Sequence, residues 1–548
     1  MSAFTETASQ RYRAECLEHN FPDVLPGDTL RVVYVRVVNR GGWTWLRTHP
    51  EGHSVDLVFF CDDAIVTTAP LDRDELAAGE DAVFSLKWRT PAAAGRYRLR
   101  LDMVEQNVSF FGSQSAPLVE LEVEILAPAL SASEQMMDSA LIRNYWFYVP
   151  TEGIYWSADG PPYPLFVKEA VGAGFRDLEG RRYIDYVMGW GSCLLGYAHP
   201  GVQAAIADVL AQGCLPTLPH QLQMHLTEQL CSTFASAEMA LFGKNGSDVV
   251  TAGVRLARLA TGRPHVLFSG FHGWQDWNNP LLGNEPQVSR YAYGDVAEVE
   301  RLLERERGRV AAIVVEPAAQ IEGVDGPVRA ADPQFLATLR GLCDREGAVL
   351  IFDEIWTGFR YPGGSVQAHT GVTPDLTAFG KALSNGMPLG ALVGRRDLFT
   401  SSIHRIGFNP TFAGDIYSFA AAIQALRVYA AEDVPIRVWT FGERLMEGIN
   451  TLCDDLGLPA RVIGLPLRMV FAFRLENPRR QILARTLLQQ ELLKGGILCF
   501  RGFMLPSAAH GELELEQTLE AYSRALQVVA RALERDSLVT LLEIPEIK

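Results

Sequence analysis

Residues 348–360, AVLIFDEIWTGFR, decide how this chain is read. A run of apolar residues bounded by turn signals is a strand buried on both faces. Here that run ends in Asp353, and a carboxylate at such a place is costly to bury unless something cationic meets it. Similar runs lie on both sides. Residues 265–268 (HVLF) lead into Phe271-His272-Gly273-Trp274, residues 310–315 (VAAIVV) lead into Glu316-Pro317, and residues 375–380 (DLTAFG) deliver Lys381. Helical stretches near 296–307 and 333–346 alternate with these runs, which predicts βα units around a parallel sheet.

Open sheets of that kind bind ligands beyond the C-terminal ends of their strands. Asp353 and Lys381 both fall there. Residues 242–248 (FGKNGSD) form a glycine-containing turn directly before a helix at 249–260; free N–H groups and the dipole make such a helix start an anion site, and Ser247 adds a hydroxyl. Taken singly, each feature has an ordinary explanation: a surface lysine, a strand-terminal aspartate, an N-cap, a core aromatic. Together they are a lysine able to form a Schiff base, an aspartate for a pyridinium nitrogen, a helix start for a phosphate and an aromatic for a ring face. Pyridoxal 5'-phosphate (PLP) needs those four parts. Lys381 then acts twice, as the covalent anchor and as the base that moves a proton.

From about residue 164 to the C-terminus the chain resembles the class III aminotransferases, most closely their glutamate-1-semialdehyde aminomutase branch. The resemblance rests on residues 177–180 (DLEG), 182–186 (RYIDY), 196–200 (GYAHP), 245–248 (NGSD), 255–258 (RLAR), 271–273 (FHG), 316–317 (EP), 352–360 (FDEIWTGFR), 371–375 (GVTPD), 380–381 (GK) and 386–388 (GMP), in that order. It implies the α/β fold of fold type I PLP-transferases, with a large domain built on a mainly parallel sheet and a small α+β domain. It also implies roles. Lys381 and Asp353 are the catalytic pair, with Ile355 beneath the ring, Gly246 and Ser247 at the phosphate, Phe271 stacked on the ring, and His272 and Glu316 beside it. Thr411 matches a threonine that reaches the phosphate of a neighbouring subunit, which implies a homodimer. Trp190 matches a tryptophan lining the substrate pocket. No metal is called for.

One departure bears on the substrate. The aminomutases hold their substrate carboxylate with an arginine upstream of the first strand, whereas no arginine stands here between Arg143 and Arg176. Residues 153–157 read GIYWS instead. Tyr155, Trp156 and Trp190, with Tyr145 and Trp146, either line a roomier pocket for a neutral carbonyl compound such as a sugar, or pack the small lobe. Arg360 and Arg405 are the candidates for a donor carboxylate. Residues 382–386 (ALSNG) replace a glycine-rich stretch, so a stiffer loop is expected. The expected activity is transfer of an amino group from an amino acid to a ketone or aldehyde by a ping-pong cycle. Two alternatives stand beside it: an intramolecular 1,2-aminomutase, and a catalytically retired binding protein.

The chain has 548 residues, too many for one hydrophobic core. Between residues 28 and 125, short β-type runs recur without helical period, and residues 98–102 and 119–124 alternate, as in half-buried antiparallel strands. The expected divisions are an all-β sandwich over 1–130, resembling the immunoglobulin-like modules of bacterial polysaccharide-assembly enzymes, a linker and small-lobe segment over 131–200, the PLP-binding large domain over 201–430, and the small domain over 431–548. The sandwich is expected either to be structural or to contact a glycan or a carrier-bound acceptor. With 49 Lys+Arg against 65 Asp+Glu and no basic block, nucleic acid is excluded as a general partner. No leader pattern, membrane-length apolar run or cysteine pairing motif appears, so a cytoplasmic protein without membrane contact is expected.

Overall fold

The computed structural model describes residues 13–27, 30–48, 54–105, 109–111, 117–126, 166–278, 287–318, 328–402, 405–544 and 546. At its centre is a seven-stranded sheet: β1 Met239–Gly243, β2 His265–Ser269, β3 Val288–Arg290, β4 Val310–Val315, β5 Val349–Asp353, β6 Leu376–Phe379 and β7 Gly390–Gly394, in the spatial order β1-β7-β6-β5-β4-β2-β3. Strands β3, β2, β4, β5 and β6 run parallel, while β7 is antiparallel to both its neighbours. Every residue of β2, β4, β5, β6 and β7 is buried, because helices cover both faces. Helix α1, Gly246–Thr261, lays Val250, Val254 and Ala257 against Ile351, Leu376 and Leu392 on one face. Leu336, Leu339, Phe419 and Leu426 cover Leu350, Phe352 and Ile313 on the other.

The smaller lobe draws on distant parts of the chain. Strands Val167–Val171, Gly174–Asp177 and Arg182–Asp185 form a sheet completed by Ile497–Leu498. Beside it, strands Ala460–Leu465, Arg468–Phe473 and Phe503–Met504 pack under helices Val434–Asp455, Pro478–Lys494 and Glu512–Glu534. Among the described residues no helix is long and apolar enough to cross a membrane.

Residues 14–126 form two sheets packed face to face. One holds Ala14–His19, Leu30–Asn39 and Asp81–Arg89; the other runs through Val24–Pro26, Val119–Leu126, Gly95–Glu105, Val55–Cys61 and Ala64–Pro70. Val35, Val37, Phe59, Phe84, Trp88, Leu99 and Leu101 share one core, and Trp45 is buried edge-on to Phe111. The smaller sheet is buried on its outer face as well. Tyr34 and Val83 join the apolar cluster of the small lobe, against Leu483, Leu538, Val539 and Leu542. The last residues of the chain are caught in this seam: Tyr34 donates its hydroxyl to the Ile544 carbonyl at 2.6 Å, and Thr540 donates to Glu18 at 2.8 Å.

Two arginines lock the seam. Arg36, on the sandwich, meets Asp81 at 2.7 Å, Asp536 at 2.6 Å and Glu18 at 3.4 Å. Arg479, on the small lobe, meets Asp72 of the sandwich at 2.9 Å, pairs with Glu546 and donates to the Val83 carbonyl at 3.0 Å. Removing one member of a largely buried ion cluster strands the others, at a cost of about 3–5 kcal/mol. Arg479→Met is therefore expected to destabilise the protein by that amount in denaturant titration, and to open the seam to limited proteolysis near residues 538–546; Arg444→Met, which removes only an exposed pair with Glu512, is expected to do neither.

Candidate active site

Four strand ends meet above the sheet. Asp353 closes β5 and is buried. Its Oδ1 accepts the Ile355 N–H at 3.1 Å, and its Oδ2 lies 2.8 Å from Nδ1 of His272. The other nitrogen of His272, Nε2, is 3.1 Å from the Ser269 carbonyl. A carbonyl can only accept, so Nε2 carries a proton and the Nδ1–Asp353 contact is bridged by another. His272 is thus fixed at both ends, with Trp277 stacked 6.1 Å from its ring.

Glu316 follows β4. It is buried and accepts the Phe271 N–H at 3.0 Å. Burial first, then the negative charge of Asp353, pushes its carboxyl up to about 7. Lys381 follows β6 through Gly380 and takes a left-handed φ of +43°, a strained conformation for a residue with a side chain. Burial lowers the pKa of its ammonium, while Asp353 and Glu316 pull it back up. Among the next residues, Asn385 accepts from Leu195 N at 2.8 Å and donates to the Gly196 carbonyl at 3.0 Å.

At the start of α1, Asn245 caps the helix by accepting the Asp248 N–H at 2.9 Å. A Cβ at Gly246 would come within 2.3 Å of Ile355 Cδ1, so only glycine lets the helix start approach the floor of the site. Gly273, at φ +88°, is likewise required: a Cβ there would lie 2.0 Å from Ser247 Oγ, which also receives a long bond from Trp274 N at 3.4 Å. Beside this turn Phe271 is 59% exposed and Trp274 69%, leaving open apolar faces next to the buried His272. A buried aspartate, a lysine with a depressed pKa, a glycine-lined helix start and an open ring, all at one end of the sheet, fit PLP.

The structure brings together Lys381, Asp353, Ile355, Gly246, Ser247, Phe271, His272 and Glu316. Thr411 does not join them. It sits exposed in a short turn, Thr411–Gly414, lining a groove of about 580 Å³ with Leu215, Leu218, Phe242 and Phe408. Tyr155, Trp156, Tyr145 and Trp146 lie outside the described residues. Trp190 is half-buried and edge-on to Phe500, with ring centroids 4.9 Å apart.

Trp190 stands in a conformation the sequence did not announce. Met188, Gly189, Trp190 and Gly191 take φ of 48°, 58°, 57° and 80°, a single left-handed turn. Each non-glycine residue in it costs about 1–2 kcal/mol. Asp185 offsets this by accepting Val187 N at 2.6 Å and Met188 N at 3.1 Å, with the Tyr197 hydroxyl at 2.7 Å. Arg360 holds the far end: one arm of its buried guanidinium donates to the Gly191 carbonyl and another to Pro506 at 3.3 Å. That corrects the expectation for Arg360, which clasps two loops of the small lobe rather than standing ready for a substrate. Arg405 is exposed and outside the cluster. Arg468, overlooked in the sequence, lies buried with its guanidinium 5.0 Å from the Trp356 ring and 4.9 Å from that of Phe503.

Comparison with known proteins agrees with this geometry. The family model described as Aminotransferase class-III matches residues 155–499, more than half of the chain. A glutamate-1-semialdehyde 2,1-aminomutase of Syntrophobacter fumaroxidans is 31% identical over 397 residues, 66% of this chain and 90% of that protein. The PLP internal aldimine form of FumI from Sphingopyxis sp. MTA144 superposes with a TM-score of 0.66 at 28% identity, covering 72% of this chain and 93% of the other. An omega-transaminase from Sphaerobacter thermophilus gives 0.64 at 26% identity, covering 73% and 98%. With its lysine, aspartate and helix start standing where that chemistry requires them, the chain belongs to the class III aminotransferases and is a PLP-dependent enzyme.

Proposed function

We propose that this enzyme transfers an amino group from an amino-acid donor to a ketone or aldehyde acceptor in a ping-pong cycle. The observation that carries the reading is the pairing of Lys381 and Asp353 at the ends of adjacent strands, with His272 fixing Asp353 from behind. PLP supplies, when bound, a sink for the electron pair left as a substrate Cα–H proton departs. Asp353 is the residue to keep the cofactor nitrogen protonated. The His272 contact at Oδ2 and the Ile355 N–H at Oδ1 fix the orientation of the carboxylate. Lys381 Nζ takes and returns the proton, and burial, by lowering the pKa of its ammonium, favours the neutral amine that a base needs. Gly246 and Ser247 would hold the phosphate, and Ile355 and Phe271 the two ring faces. Glu316 sets the charge beside them.

A second reading, the intramolecular 1,2-aminomutase, is favoured by the relationship to the aminomutases. First-half-reaction stoichiometry separates the two. A transaminase releases one equivalent of oxo acid per bound cofactor, and a mutase releases none.

Thr411, Phe412 and Leu218 are exposed, the last two at 59% and 78%. Such apolar exposure around a groove marks a protein interface, and a homodimer that completes each site with Thr411 accounts for it. The sandwich is read as a fixed part of the enzyme that could contact a glycan or a carrier-bound acceptor.

Three outcomes are expected. Lys381→Ala abolishes the absorbance of lysine-bound cofactor at about 410–430 nm and lowers turnover by roughly 10⁴-fold, whereas an unchanged spectrum and rate would refute the assignment. Phe412→Asp yields a monomer in sedimentation with weakened cofactor retention. Glu316 has a folded-state pKa raised above its unfolded value. The cofactor-free fold therefore binds the extra proton, and its stability declines as pH rises from about 4.5 to about 7. Glu316→Gln removes that decline, so its melting temperature exceeds that of the wild type at pH 8 and converges with it near pH 4.5.

A further inference from the structure

Lys381 opens a short turn, Lys381–Ser384, that is entered at φ +43° and left through Asn385 at φ +46°, both left-handed. A residue with a Cβ keeps that conformation only where its surroundings impose it. The far end is accounted for, because the Asn385 side chain is bonded to Leu195 N and the Gly196 carbonyl. Gly380 precedes the turn and has no side chain to cap it. At this near end the restraint falls on the residue directly after the lysine. The Ala382 carbonyl accepts two bonds: the Asn385 N–H at 3.3 Å, which closes the turn, and the hydroxyl of Tyr429 at 2.5 Å.

Tyr429 belongs to the helix Ile416–Ala431 and is buried. Its ring stacks on Phe359, with centroids 5.6 Å apart and planes at 24°. A buried phenol must find an acceptor, and burial raises its pKa, so the group stays a donor. We propose that Tyr429 is a positioning residue for the amino-transfer reaction: by gripping the Ala382 carbonyl it holds Lys381 in its left-handed conformation and keeps Nζ where it anchors the cofactor and moves the proton. It acts through the backbone of the turn, and displacing a reacting group by about 1 Å can cost on the order of 10²-fold in rate. This proposal rests on the reading of Lys381 as the cofactor lysine.

Tyr429→Phe keeps the ring and removes only the oxygen. When full-length protein stripped of cofactor is given PLP, the band at about 410–430 nm is expected to form on the order of 10-fold more slowly than in wild type; this readout needs no donor. In the reloaded variant, single turnover with L-alanine is expected to slow by a similar factor while the apparent Kd for alanine stays within about twofold. The isotope effect with alanine deuterated at Cα is expected to rise, because the impaired step is proton movement by Lys381. Tyr522→Phe is the control, since it removes another buried hydroxyl, one that meets Met504 Sδ at 3.4 Å in the small lobe, and it should leave all these readouts at wild-type values. Wild-type values in Tyr429→Phe would overturn the proposal. Equal slowing in Tyr522→Phe would mark the effect as a general loosening and overturn it too. If wild-type protein forms no band with PLP, or Lys381→Ala still forms it, the assignment of Lys381 fails and the proposal with it, and neither observation involves a Tyr429 variant.

Discussion

The organising constraint is a carboxylate at the end of a strand that is buried on both faces. Asp353 has little water to solvate it, so the structure answers with a shared proton from His272 on one oxygen and a backbone N–H on the other. Holding His272 in turn requires the Ser269 carbonyl at 3.1 Å, which fixes where β2 ends relative to β5. Glu316, which follows β4 between the strands that lead to His272 and Asp353, then cannot ionise freely. The depressed lysine on the other side is the counterpart of these carboxylates. One buried charge thus sets the spacing of three strand ends.

Between the lobes the same economy recurs with the opposite sign. Arg360 is a buried cation fixed by two backbone carbonyls, and burial holds its pKa down to about 10. Its position ties the segment after Asp353 to the left-handed turn at 188–191, so the wall carrying Trp190 is strained, and the strain is held from both ends by Asp185 and Arg360. Side chains carried on such a turn have little room to relax.

Much of the cofactor site was legible in the sequence because each part stands at a predictable place: the end of an apolar run, or the turn before a helix. Asp353, Lys381, Gly246 and His272 could be placed by that logic alone. Arg468 could not, since residues 468–473 read as an ordinary strand and nothing local says which lobe its first side chain will face. The turn at 188–191 shows two glycines, but no propensity predicts Met188 and Trp190 in a left-handed conformation, because tertiary contacts impose it. The docking of the sandwich did leave a trace. Residues 30–39 (LRVVYVRVVN) lack the alternation seen in 119–124, and the structure explains why: Val33, Val35 and Val37 face the sandwich core while Tyr34 and Val32 pack against the small lobe.

The seam that holds the sandwich has a consequence for biogenesis. Residues 14–126 leave the ribosome about 400 residues before part of the surface against which they dock, residues 536–544. The outer face of the Leu30–Asn39 strand must therefore wait uncovered until those residues emerge, and domains that fold in order of emergence cannot complete this one by themselves. Fastening the sandwich is therefore coupled to that distant segment: a chain without residues 536–546 would keep every candidate catalytic group and lose the Arg36–Asp536, Tyr34–Ile544 and Thr540–Glu18 contacts that help hold its first domain.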